Sequence, residues 1–358
     1  METTLSDSNV SALESRLGVE WAAIRRARRE SATRRSELTS LFADLHSSDT
    51  GLIVFGSVAR GELTSGSDLD WVLLIDGQSF PDHKVLEQDI ERRLADKRFI
   101  KPGTSGVFGR MVGSHGLVHN IGGEDDSNAN TTRRVLLLLE SLPIGNRDAY
   151  NRVRRQILRR YLNDDRGLTY GESRIRVPRF LLNDITRYWR TVTVDFVYKQ
   201  RADNDEKWAL RNAKLRLSRK LIFAAGLLSC FLCHLDPAAA EAREALEDGK
   251  DVAPLIDYLD RLLALDPLEK LAKVCLDRNV RPETARAIFD SYDGFLGILD
   301  DAAKRKELAG VKGHPDLRKS KAWREVQNVS HPFHQALVSL FLREDSALTA
   351  LTMEYGVF

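Results

Sequence analysis

Residues 52–75 read LIVFGSVARGELTSGSDLDWVLLI: a short apolar run, a Gly-Ser turn at Gly56-Ser57, and a second apolar run opening with Asp68-Leu69-Asp70. On a strand, side chains at i and i+2 point to the same face, so Asp68 and Asp70 are expected to project together. Two carboxylates held that close repel unless a cation sits between them. Mg²⁺ favours such oxygen ligands beside substrate phosphates. Gly56 and Ser57 end the first strand where the backbone can come close to a polyphosphate. The chemistry these residues predict is nucleotidyl transfer from a nucleoside triphosphate.

The pattern resembles the DNA polymerase β-like nucleotidyltransferase superfamily, whose Gly-Ser, spacer, Asp-x-Asp signature appears as Gly56-Ser57 followed by Asp68 and Asp70. Arg60-Gly61 and Ser67 strengthen the likeness, which covers roughly residues 35–125. The resemblance implies that the Gly-Ser turn holds the triphosphate and that Asp68 and Asp70 bind two Mg²⁺ ions, with Mn²⁺ as a substitute. It identifies the donor half of a reaction and leaves the acceptor open. The ordinary alternative is a hairpin or βα turn of a sheet; a lone Asp-x-Asp would be weak, but its place at a strand start after a Gly-Ser turn is specific.

The 358 residues allow two or three domains with cores of their own, and 42% hydrophobic with 30% charged residues describes a soluble globular chain. The formal net charge of +2 neither demands nor excludes nucleic acid. No signal-peptide pattern opens the chain. The longest apolar stretch, LIFAAGLLSCFLCHL at 221–235, is short for a membrane span and reads as a buried helix, so no membrane insertion is expected. Cys230, Cys233 and Cys275 lack the partners of a zinc site or a disulfide framework, which predicts core cysteines and a cytoplasmic location.

The expected fold class is α+β, a small mixed-sheet core followed by a mainly helical domain. Residues 10–45 are helical in pattern, with Leu17, Trp21 and Ile24, then Leu38, Leu41, Phe42 and Leu45, at helical spacing. Between them Arg25, Arg26, Arg28, Arg29, Arg34 and Arg35 form a basic run, either a solvated face or a contact for acceptor phosphate or an acidic partner. Strands are expected at 52–55 and 69–75, around a short helix and turn at 58–66, with a charged helix at 84–97. Gly106-Val107-Phe108 and Leu117-Val118-His119 suggest further strands. Helices follow at 130–142, 146–163, 177–201 and 206–235, then shorter ones over 238–308 and 321–343. Lys304 to Arg324 is basic and contains Gly310, Gly313 and Pro315, so it includes a loop. The predicted divisions are 1–45, an N-terminal helical segment; 46–145, the core; 146–303, a helical substrate- and phosphate-binding domain; and 304–358, a basic loop, a helix and an apolar tail. The cleft is expected between core and helical domain.

Two-metal phosphoryl transfer commonly needs a third oxygen ligand, which relatives often supply from a later strand. Asp126, in the cluster Glu124-Asp125-Asp126, is one candidate. Asp195 in VTVDFVY is another, although Asp184, Tyr188, Thr191 and Asp195 also fall at helical spacing. The absence of any third carboxylate remains the other reading.

RNAKLRLSRK at 211–220 places Arg211, Lys214 and Ser218 at i, i+3 and i+7, on one helix face that could meet the β and γ phosphates from across the cleft or be a plain basic surface. Arg187, Arg190, Arg133 and Arg134 have less specific claims to phosphate. His119 could position a base or ribose, or serve structure. His331 and His334 flank Pro332-Phe333 and suggest a turn. The apolar end Tyr355-Gly356-Val357-Phe358 would dock onto the core or onto a second copy in a homo-oligomer. The acceptor could be a nucleotide, an oligonucleotide 3′ end, a protein hydroxyl or a small molecule. The chain is similar to standalone bacterial nucleotidyltransferases, some of which act in antiviral defence. Protein nucleotidylylation, tRNA modification by a toxin, and a catalytically retired nucleotide-binding module are the competing readings.

Overall fold

The computed structural model describes residues 8–45, 47–102, 106–169, 175–202, 207–247, 251–312 and 317–357. Gly313, Pro315 and Phe358 lie outside them. Helices α1 (Asn9–Leu17) and α2 (Ala22–Leu41) lead into β1 (Thr50–Phe55), α3 (Gly56–Arg60), β2 (Asp70–Ile75), α4 (Pro81–Asp96), β3 (Arg110–Gly113), α5 (Ser114–Val118), α6 (Asn128–Leu139) and β4 (Ser141–Ile144). The remainder is helical, from α7 (Asp148–Asp164) to the C-terminal turns. A small mixed core followed by a large helical part is the architecture that the periodicities predict.

The strand order is β3-β2-β1-β4. β1 runs antiparallel to both β2 and β4, whereas β3 is parallel to β2. Phe55 pairs with Asp70 on one side and with Ser141 on the other. The end of β1 and the starts of β2 and β4 therefore meet at one edge of the sheet. The central strands bury both faces, with period-2 partition. Leu52, Val54, Trp71 and Leu73 join Leu38 and Phe42 of α2 and Ile90 and Leu94 of α4 in a small cluster. Ile53, Phe55, Val72 and Leu74 join the large helical core. Asp70 shares the parity of Val72 and Leu74, so its side chain belongs to the face turned towards the helices.

Helices α9 (Arg179–Ala202), α10 (Trp208–Lys214) and α11 (Lys220–Leu235) supply the opposing wall. α11 is apolar nearly all round, as a central buried helix must be. It carries Cys230 and Cys233, and all three cysteines are buried. Gly226 in α11 lets that helix approach closely, since a Cβ there would stand 2.9 Å from Ile185 Cγ2. No single helix among the described residues is long and apolar enough to cross a membrane. Tyr355 packs partly buried against the core, in a π-helical turn that ends the described chain.

Several local expectations are corrected. Gly18, at φ +64°, ends α1 and splits the N-terminal helical stretch. Leu117 and Val118 lie in α5 and the third strand is Arg110–Gly113, because a short apolar run does not by itself distinguish strand from helix. The leucine run stops at Leu139, and residues 141–144 form β4 instead of extending the helix. Lys304–Gly310 lies within α16 (Ala302–Gly310), so the basic loop is shorter than expected. His331 and His334 sit inside the helix Lys321–Leu342, which accommodates Pro332, and form no turn.

The basic run of α2 is partly solvated, with Arg26 and Arg29 exposed, and several of its members are engaged by acids or carbonyls of the chain. Arg25 pairs with Glu14 at 2.8 Å, Arg26 with Asp300 at 2.9 Å, and Arg28 with Glu269 at 2.6 Å. Arg35 donates from Nε to the Val58 carbonyl at 2.9 Å and from Nη2 to the Ala59 carbonyl at 2.8 Å. It thereby satisfies carbonyls at the end of α3, which has no further turn to donate N–H groups to them.

Candidate active site

The Gly-Ser turn starts α3 directly at the end of β1. Gly56 has φ +69°, a conformation that favours glycine, and a Cβ there would stand 3.2 Å from Asp70 Oδ2. Ser57 is half-buried, and its carbonyl accepts from Glu62 N at 2.8 Å. Gly61, at φ +73°, closes the helix. The following loop is tied at several points. Thr64 N donates to Ser67 Oγ at 3.1 Å, Ser65 N donates to Asp300 Oδ1 at 3.1 Å, and Leu69 N donates to the Ile100 carbonyl at 3.0 Å. Arg305 of α16 donates to Thr64 Oγ1 at 3.3 Å and to the Gly66 carbonyl. The segment before Asp68 is thus fixed by the helical part as well as by its own turn.

Asp70 opens β2 and Asp68 lies two residues before it, outside the strand, with its charge acting on Asp70. Part of Asp70 reaches solvent, but protein packed around its carboxyl and the neighbouring Asp68 charge push its pKa up to about 7. Arg219 and Lys214 act in the opposite sense, and Glu140 adds to the rise. Burial lowers the pKa of Lys214 despite attraction from Asp68 and Asp70, with Arg305 and Arg219 adding to the fall. Burial also opposes the charge on Arg219, but Tyr188, Glu140 and Asp70 outweigh it and hold the guanidinium above its ordinary value. Two acids on the sheet edge therefore face Lys214 and Arg219 from the helical wall, with Arg305 beside Asp68.

The π-turn Leu215–Arg219 between α10 and α11 explains why Arg219 takes this place. Hydrogen bonding from i to i+5 widens the turn, so a residue five positions after Lys214 comes round to its side. Ser218 is buried and donates to the Lys214 carbonyl at 3.0 Å. Arg211 lies one turn earlier on α10, half-buried. Arg60 is buried and pairs with Glu62 at 2.7 Å and with Glu140. Its guanidinium, also a candidate to bind the nucleotide from the sequence resemblance, is held by protein carboxylates in this structure.

Neither candidate third carboxylate joins this group. Asp126 is buried against Arg134, with Nη2 at 2.8 Å, and against Arg187 at 2.9 Å. Burial resists the charged form, but the Arg134 and Gly122 hydrogen bonds hold its pKa below the usual range. Asp126 lies just before α6 and Glu140 just after it; twelve helical residues separate them by about 18 Å along the axis. Arg134 also pairs with Asp184 and donates to Tyr161, whereas Arg133 donates to the Val107 and Gly106 carbonyls. Both arginines are used internally. Asp195 is exposed on α9 and, with Arg187 and Arg190, lines a surface cavity of about 350 Å³. His119 is exposed and lies beside His115, with tilted rings whose centroids are 4.9 Å apart.

Arg219, Glu140 and Arg305 were not singled out by sequence reasoning. Arg219 belongs to the same basic run as Lys214, but α-helical spacing puts it on another face. The signal for Glu140 is a lone acid ending RVLLLLE. Among the described residues, no three His, Cys, Asp or Glu side chains are arranged to hold a metal ion. Asp68 and Asp70 nevertheless suit a divalent cation. Their mutual repulsion would be relieved by one, and the remaining coordination positions would be left to phosphate oxygens and water.

The fold and this geometry define a nucleotidyl-transfer type of core, and residues 35–103 match the family described as nucleotidyltransferase domain. The chain carries such a domain there, of the polymerase β-like kind, over β1, α3, β2 and α4. No curated protein and no solved structure matches the chain.

Proposed function

We propose that the protein is a Mg²⁺-dependent nucleotidyltransferase that moves an NMP or dNMP from a nucleoside triphosphate to a hydroxyl of a nucleotide or oligonucleotide. The observation that supports this best is the pairing of Asp68 and Asp70 beside Gly56 with Lys214 and Arg219 opposite. Asp68 and Asp70 would hold the cation. When bound, it supplies Lewis-acid polarisation of the reacting phosphoryl group. The chain's own groups do the rest. Gly56 allows the backbone to approach the phosphates, and Ser57 borders them. Lys214 and Arg219 offset charge on the triphosphate and the leaving pyrophosphate. The acceptor oxygen forms its bond to the α-phosphorus as the bond to the β-phosphate bridging oxygen breaks. The acceptor proton passes to solvent or phosphate.

Incubation of the protein with Mg²⁺ and each α-labelled ribo- or deoxyribonucleoside triphosphate tests this reading. Label in an oligonucleotide or dinucleotide supports it. Label on protein or on tRNA assigns nucleotidylylation of those acceptors instead. Failure of every donor to bind overturns the reading in favour of another role for the domain.

A further inference from the structure

We propose that Glu140 is a positioning residue whose buried carboxylate fixes the Arg219 guanidinium opposite Asp70, and so prepares the cleft for triphosphate. The inference rests on the functional reading above but concerns a residue that touches neither substrate nor metal.

Glu140 is the C-cap of α6, one residue before β4. The pairing of Phe55 with Ser141 brings it to the sheet edge where Gly56 and Asp70 lie. Its side chain is 0% exposed, and both oxygens are engaged. Oε2 accepts from Arg60 Nη1, and Oε1 accepts from Arg219 Nη1 at 3.4 Å. Arg60 also donates from Nε to Glu62 Oε2 at 2.7 Å. A charge-alternating chain, Glu62–Arg60–Glu140–Arg219, thus runs from the loop after the Gly-Ser turn to the π-turn of the helical wall.

Ion pairs buried this deeply contribute little net stability over apolar packing, but removing one member leaves its partner's charge uncompensated. The two ends of the chain differ in that respect. Arg60 keeps Glu62 if Glu140 is lost. Arg219 keeps only Asp70 as a neighbouring acid among those that shift it. An Arg219 released from Glu140 would turn to Asp70 and cover the oxygens a cation needs. Glu140 therefore holds Arg219 close enough to face the cleft and far enough to leave Asp70 open.

The test measures binding of inorganic tripolyphosphate with Mg²⁺ by calorimetry on the full chain, together with thermal denaturation. It compares the wild type, Glu140→Gln, Glu140→Asp, Arg219→Ala and the Glu140→Gln/Arg219→Ala double variant. Glu140→Gln should weaken binding by roughly tenfold, and Glu140→Asp, which keeps the charge, should recover most of the loss. The double variant should bind no worse than Arg219→Ala, since Glu140 acts through that residue. Wild-type affinity in a folded Glu140→Gln, or losses that simply add, would overturn the inference. Arg219 side-chain NMR signals in the wild type, assigned with Arg219→Lys, decide the matter if Glu140→Gln does not fold. Slow guanidinium rotation and water exchange are expected, and free rotation would refute the restraint. If the wild type binds no tripolyphosphate, the functional reading fails separately, while the same NMR signals still report whether Arg219 is held.

Discussion

Gly56 and Asp70 approach each other so closely that a Cβ on Gly56 would stand 3.2 Å from Asp70 Oδ2, with Gly56 itself at φ +69°. The turn and the carboxylate are therefore one unit. Gly56→Ala is expected to cost about 1–2 kcal/mol of stability through the left-handed backbone alone. It should also displace the Asp70 carboxyl and reduce triphosphate turnover more than that loss of stability explains. Urea denaturation and single-turnover kinetics on the same preparation measure the two effects.

Asp68 and Asp70 are the proposed holders of the cation. Mg²⁺ or Mn²⁺ should raise the melting temperature of the wild type, and Asp68→Ala with Asp70→Ala should abolish both that rise and nucleotidyl transfer. The double variant should stay folded, because it removes two like charges from one place. Persistent pyrophosphate release from it would remove the metal assignment.

Lys214 lies near enough to both acids for their charges to act on it. Lys214→Ala should raise the KM for the triphosphate with a smaller effect on kcat, as expected for a group that binds phosphate in the ground state as well as in the transition state. Steady-state kinetics with the preferred donor would show this, and unchanged constants would move the phosphates away from α10.

Asp126 and Asp195 should separate cleanly. Loss of Asp126 leaves Arg134, which is wholly buried, and Arg187 short of a partner. Asp126→Ala is expected to destabilise the fold by roughly 3 kcal/mol. Asp195 is exposed on α9, so Asp195→Ala should change stability by less than about 0.5 kcal/mol. Denaturant midpoints would compare the two, and transfer assays on the folded variants would show whether either contributes to the chemistry.

A pH dependence is expected far from the cleft. Lys270 on α14 (Pro267–Asp277) is fully buried, with Nζ donating to the Leu263 carbonyl at 3.4 Å. Burial, with Arg154 adding, lowers its pKa to about 7, against about 10.4 in an unfolded chain. Between those values the unfolded state binds more protons, so this residue makes stability rise with pH through the window. Lys270→Met should stabilise the protein by about 1–4 kcal/mol at pH 6 and by less at pH 9.5. Equal gains at both pH values would contradict the depressed pKa.

Much of the core was legible because its signals are local. Gly56, Ser57, Asp68 and Asp70 belong to one strand-turn-strand unit, in which the two carboxylates are only two residues apart. Burial of LIFAAGLLSCFLCHL also follows from composition, since a helix apolar all round must lie inside. The same local patterns predict a small sheet followed by helices.

Other relationships depend on register and packing between distant segments. Glu140 meets the site because β4 pairs with β1, and Arg219 does so because a π-turn departs from the α-helical spacing by which faces are read. Arg60 and several arginines of α2 looked available for phosphate as sequence. In the folded chain they answer acids or carbonyls up to hundreds of residues away. The sequence by itself determined the turn and the acid pair, which need only neighbouring residues. Which of the many basic groups face those acids was decided by tertiary structure, because a buried charge takes the partner that packing brings to it, whatever its spacing along the chain.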